Sequence, residues 1–186
     1  MLESPSQSRL IISAIEAEFR RYRTLAEGAI HQLDFTQLRT SLDPQTNSIA
    51  IIMKHLGGNF RSRWTDPLTT DGEKPWRNRD QEFIDDFADL PALLSAWNGG
   101  WDTLFATLAT FTDADLSRTL TIRGELHTLS LALQRSVTHA AYHCGQIVQT
   151  ARILASRGNQ PWRTLTVPRG GSQTYNQSLG FDPSKS

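Results

Sequence analysis

A single cysteine in 186 residues excludes an intrachain disulfide and fits a reducing compartment. Net charge is missing as well: 19 Lys and Arg are offset by 19 Asp and Glu. Without a broad positive field to attract phosphates, the composition argues against a nucleic-acid partner. No apolar run approaches the roughly 18–20 residues needed to span a membrane. The opening Met1-Leu2-Glu3-Ser4-Pro5 has no basic segment followed by an apolar one, so no signal peptide is expected. These absences predict a cytoplasmic protein with neither membrane nor nucleic-acid partners. Its length suits one domain with one sizeable core, expected at about residues 8–160 with a tail over 161–186.

What is present is helical periodicity. Ile12, Ile15, Phe19 and Tyr22 recur at three- and four-residue spacing in a first helix from Leu10 to about Ala29. A second runs from a cap at Thr46, Asn47 or Ser48 to about Trp64. Ile49, Ile52, Met53, Leu56 and Phe60 form its core face, with His55 on the border. Gly57-Gly58 inside it costs roughly 1 kcal/mol per glycine relative to alanine, which points to close approach of a neighbour or to a break. Residues 65–87 form a polar crossover too long for a tight turn, and Trp76 is expected to pack part of it down. The third helix carries a heptad seam of Leu90, Leu94, Trp97, Trp101, Leu104, Leu108 and Phe111, capped by Asp89. Leu120–His127 alternates and carries a glycine, which predicts an extended turn or short hairpin.

The fourth helix is expected from about Thr128 to Arg157, with Gly158 as its C′ residue. Its core stripe is Leu129, Leu133, Val137, Ala140, Cys144, Ile147, Ala151 and Leu154. An adjacent stripe of Ala132, Ser136, His139, His143 and Gln146 puts two histidines one turn apart on one face. Such a pair can take neighbouring positions on one divalent metal if other elements supply more ligands. An isolated pair is matched as easily by two structural histidines. His31 and His127 read as structural or exposed, and Cys144 as a small core residue. The tail after Pro161 is rich in Gly, Pro, Ser, Asn and Gln, and no helical pattern follows Pro168-Arg169-Gly170-Gly171-Ser172. The fold class is therefore all-α: a four-helix bundle with a long crossover between helices 2 and 3 and an irregular C-terminal tail.

One histidine in the second helix and H-x-x-x-H in the fourth, with that crossover between helices 2 and 3, resemble the DinB/YfiT-like superfamily of metal-binding four-helix bundles. The best-matching segments are Ser48–Leu56, Asn59–Trp64, Thr70–Trp76 and Ala141–Ile147, within a likeness spanning roughly residues 8–177. The resemblance implies that His55, His139 and His143 are metal ligands, for which zinc or nickel suits an all-imidazole set. It also implies a homodimer and a small-molecule substrate. Characterised members of the superfamily include thiol-dependent S-transferases, so the expected function is transfer of a low-molecular-weight thiol to a small electrophile. The alternatives are a metal-dependent hydrolase or a non-catalytic metal-binding stress-response bundle. Hydrolysis wants a carboxylate base; none stands on the histidine stripes, and Glu125, at the entry to helix 4, is the one candidate. Asn59 and Arg63 extend the His55 stripe, and Arg135 precedes His139 by one turn. These three are the candidate substrate-binding residues, the two arginines suited to an anionic thiol.

Overall fold

Apolar stripes at helical spacing produce four long helices, three of which start at a side-chain cap. The computed structural model describes residues 8–182; residues 1–7, including the N-terminal stretch read above, and 183–186 lie outside the described residues. Helix α1 spans Leu10–Ile30 and is followed by the four-residue α2 (Phe35–Leu38), closed by an Asp34/Gln37 capping box. Helix α3 (Ile49–Trp64) begins at Ser48, whose hydroxyl accepts from Ile51 N–H. Helix α4 (Leu90–Leu108) is capped by Asp89, with Pro91 in its first turn. Helix α5 (Leu129–Arg157) is capped by Thr128, and α6 (Ser172–Ser178) is a late addition in the tail.

Packing pairs α3 with α4 and α1 with α5; α5 also meets α3, and α4 meets α1. Helices α1 and α3 therefore face each other diagonally, and the sequence order does not follow the order around the bundle. Phe19 of α1 reaches Phe60 of α3 across the centre at 6.0 Å between ring centroids, and Trp101 lies tilted beside Phe60 at 4.7 Å. Each such buried side chain contributes on the order of 1.5–3 kcal/mol, a contribution that does not depend on a metal.

The glycine pair in α3 has two separate causes. A Cβ on Gly57 would lie 2.7 Å from the Ala96 carbonyl oxygen, and one on Gly100 would lie 2.5 Å from Gly57 Cα. Here α3 and α4 touch backbone to backbone. A Cβ on Gly58 would instead run into the Glu82 carboxyl carbon at 2.9 Å.

The crossover is held by polar contacts and not by its tryptophan. Trp76 is 55% exposed, with the Arg61 guanidinium over its ring, which corrects the expectation that it packs down. Lys74 and Glu82 are buried in its place. Strands β1 (Thr119–Ile122) and β2 (Glu125–Thr128) form an antiparallel hairpin. Its turn residues Arg123 and Gly124 both have positive φ, 54° and 78°, as a two-residue hairpin requires. Both their N–H groups donate to the Asp71 carboxylate at 2.8 Å, which clasps hairpin to crossover.

Other expectations are corrected in detail. Leu93 is fully buried where Leu94 was expected, because a straight helix drifts off a heptad seam. At the end of α5, Asn159 and not Gly158 takes the left-handed conformation, with φ values of 53° and −80°. The tail is irregular up to Gly171, but a short helix does follow it. No helix among the described residues is long and apolar enough to cross a membrane.

Replacing Gly100 or Gly57 by alanine is predicted to destabilise the fold by about 1–3 kcal/mol. At Gly99 an added Cβ meets nothing within 4 Å, so Gly99→Ala should gain about 0.5–1 kcal/mol. Urea denaturation checks both, and equal effects at positions 99 and 100 would contradict the close approach.

Candidate metal centre

The one-turn spacing of His139 and His143 puts both rings on the side of α5 that meets α3, where His55 stands buried. His139 Nε2 lies 3.0 Å from His143 Nε2 and 3.4 Å from His55 Nε2. One nitrogen from each ring falls within 4.8 Å of the other two.

The opposite ring nitrogens are tied outward. His55 Nδ1 donates to Glu82 Oε2 at 2.8 Å, and His143 Nδ1 donates to Gln146 Oε1 at 2.8 Å. With hydrogens on both Nδ1 atoms, the neutral rings present bare Nε2 lone pairs inward. His139 can offer an Nε2 hydrogen to only one neighbour, so at least one contact sets lone pair against lone pair. A cation among the three nitrogens relieves this, and three neutral imidazoles leave a position open for another ligand. The donor set fits a divalent metal.

Neutrality is favoured where it is needed. Burial, then the charges of His143 and His55 and of Arg77 and Arg63, lower the His139 pKa to about 3. Burial also lowers that of His143, against the opposing hydrogen bond that His143 donates to Gln146.

Glu82 is the residue that periodicity missed. It comes from a 3-10 turn, Asp80–Phe83, in the crossover, and its neighbour Phe83 lies 4.9 Å from the His55 ring. Arg77 grips both carboxylate oxygens, Nε to Oε1 at 2.8 Å and Nη2 to Oε2 at 2.9 Å. Burial raises the Glu82 pKa, but the bonds from His55 and Arg77 outweigh it and hold it below the ordinary value. The chain Arg77–Glu82–His55 fixes the ring's tautomer and orientation, as partners of metal-binding histidines do.

A cavity of ≈ 200 Å³ opens beside His139, lined by Asn59, Arg63 and Arg135 together with Trp64, Ser136 and the hairpin's Leu120 and Ile122. Asn59, Arg63 and Arg135 thus line one cavity with His139, while His55 and His143 are not part of its wall. Glu125 is exposed at the hairpin turn, and no hydrogen bond among the described residues joins its carboxylate to the histidines. His31 is exposed at the end of α1. His127 is buried and bonded to Arg135, apart from the cluster. Cys144 is buried on the core side of α5, and burial together with the Glu27 charge raises its pKa to about 12.

A family model described as "Protein of unknown function (DUF1572)" matches residues 6–171. The chain belongs to this family. No curated protein matches it. Among solved structures, YfiT from Bacillus subtilis, described as a probable metal-dependent hydrolase with an unusual four-helix bundle topology, aligns over 87% of this chain and 95% of its own. The TM-score is 0.61 at 19% identity, a likeness of fold. Family and fold together bear out the DinB/YfiT-like resemblance of the DUF1572 chain.

In the metal-free protein, imidazole NMR should show His139 neutral down to about pH 3. Unfolded histidine binds its proton near pH 6.5, so the unfolded state holds more protons between these values and stability falls as pH drops through them. A His139 that titrates near 6.5, with no such loss, would contradict the buried neutral cluster.

Proposed function

We propose that this chain is a metal-dependent enzyme acting on a small anionic molecule, with His55, His139 and His143 holding a zinc or nickel ion. The carrying observation is the convergence of three ring nitrogens, with the His55 and His143 rings held by outward Nδ1 bonds. When bound, the metal supplies a Lewis acid that lowers the pKa of a thiol or water at its open position. Asn59, Arg63 and Arg135 border the adjoining cavity and serve as its substrate-binding residues.

Transfer of a low-molecular-weight thiol to a small electrophile is the reaction we favour. Glu82 has both oxygens committed to Arg77 and His55, so it orients and does not act as a free base. Glu125 is exposed away from these bonds. A thiol needs less help than water in losing its proton, since its ordinary pKa is already near 8.5. Hydrolysis is the second reading, favoured by the fold shared with YfiT, itself described as a probable metal-dependent hydrolase.

Alanine in place of His55, His139 or His143 should each sharply lower metal affinity while circular dichroism shows a folded bundle. His31→Ala and His127→Ala should leave metal content unchanged. Glu82→Gln should weaken metal binding by roughly 10–100-fold, since it removes the charge that orients His55. Metal analysis of the purified variants checks this, and full occupancy in His55→Ala would show the ligand set to be wrong. Loss of a chlorinated or epoxide electrophile that requires an added thiol supports transfer. Turnover of an ester or amide without thiol supports hydrolysis instead.

A further inference from the structure

The two charged side chains on the cavity wall, Arg63 and Arg135, are not equivalent. Arg63 Nη1 donates to Glu73 Oε2 at 3.1 Å, so a carboxylate of the fold answers its charge. Arg135 makes no ion pair among the described residues. Its Nη1 donates at 2.6 Å to Nε2 of His127, a neutral acceptor. A guanidinium has donors alone, so that Nε2 is bare and the ring hydrogen is on Nδ1. From there it is donated to the backbone oxygen of Glu125 at 3.0 Å. His127 is 6% exposed, and both its nitrogens are used: one on its own strand, one on the arginine.

We infer that Arg135 is an anion subsite of this cavity, binding the carboxylate of a small substrate, and that His127 is the positioning residue holding its guanidinium at the wall. The assignment rests on the cavity being the active site proposed above. Trp64, Leu120, Ile122 and Ala132 make much of the remaining wall apolar. At ≈ 200 Å³, the cavity is smaller than the roughly 300–1,000 Å³ of drug-sized sites. The ligand class is therefore a small carboxylate with an apolar body. The bond to His127 occupies one N–H of Arg135 and leaves the other donors of a planar fork that matches a carboxylate.

The test uses the zinc-loaded protein, titrated calorimetrically with benzoate and with its uncharged analogue benzamide. Benzoate should bind more tightly, and Arg135→Gln should weaken it by about tenfold, a typical loss for a charge-assisted bond at a partly exposed site, without affecting benzamide. His127→Gln, whose amide oxygen can still accept, should stay within about twofold of wild type, while His127→Leu should lose several-fold. Zinc occupancy should be the same in all. The series is repeated without metal, where the Arg135 dependence should persist, which separates this subsite from benzoate bound to zinc.

Equal affinity for benzoate and benzamide, or no effect of Arg135→Gln, overturns the subsite. Equal losses in His127→Gln and His127→Leu overturn the positioning role. If His127→Leu does not fold, His127→Gln decides: affinity kept supports the role, and affinity lost as in Arg135→Gln refutes it. A protein that takes up no zinc defeats the proposed metal enzyme alone, and the metal-free series still decides the subsite.

Discussion

Imidazole lone pairs that face one another repel, and this bundle nevertheless gathers three ring nitrogens, with His139 at 3.0 and 3.4 Å from its two neighbours. Much of the surrounding structure is explained by what holds them there. Gln146 turns His143 from one turn further along α5, and Glu82 turns His55 from the crossover. Arg77 neutralises Glu82 so that a carboxylate can remain ionised in a buried place. Gly58 lacks a Cβ where that carboxylate lies. Four residues, spread over two helices and a loop, thus serve the orientation of two rings.

The same crossover braces the walls of the cavity. Glu73 takes bonds from Arg63, Arg77 and Arg123 on one oxygen, linking the wall of the cavity, the support of His55 and the hairpin turn. Asp71 clasps the hairpin's turn amides, and the hydrogen bonds to those amides and to Glu73 N–H dominate the lowering of its pKa. The hairpin in turn supplies Leu120 and Ile122 to the cavity and His127 to Arg135. A segment that reads as a polar connection in sequence joins the histidine cluster to the pocket.

Legibility in the sequence followed periodicity. The four helices, the cap at Asp89 and the common face of His139 and His143 all follow from spacing and capping chemistry, while Ser48 is one of three caps the sequence offers for its helix. His55 was placed on the border of a core face, where the structure buries it. Glu82 was not visible, because it follows His55 by 27 residues through a stretch with no repeat. The signal that could have found it was Gly58, a helix-interior glycine that its neighbour Gly57 does not explain. Trp76 misleads because an aromatic is ordinarily what packs a loop down, whereas here Ser62 of α3 anchors the crossover, its hydroxyl donating to the Gly72 carbonyl and accepting from Lys74 N–H. His127 looked incidental because its partner, Arg135, lies on the next element.

Membership of a family described only as of unknown function leaves the chemistry to the site, and the site's central claim is that three imidazoles share one ion. X-ray absorption on the zinc-loaded protein measures this directly. Three imidazole nitrogens at about 2.0–2.1 Å with one or two further light-atom ligands are predicted. A sulfur neighbour at about 2.3 Å, or fewer than three imidazoles, would contradict it.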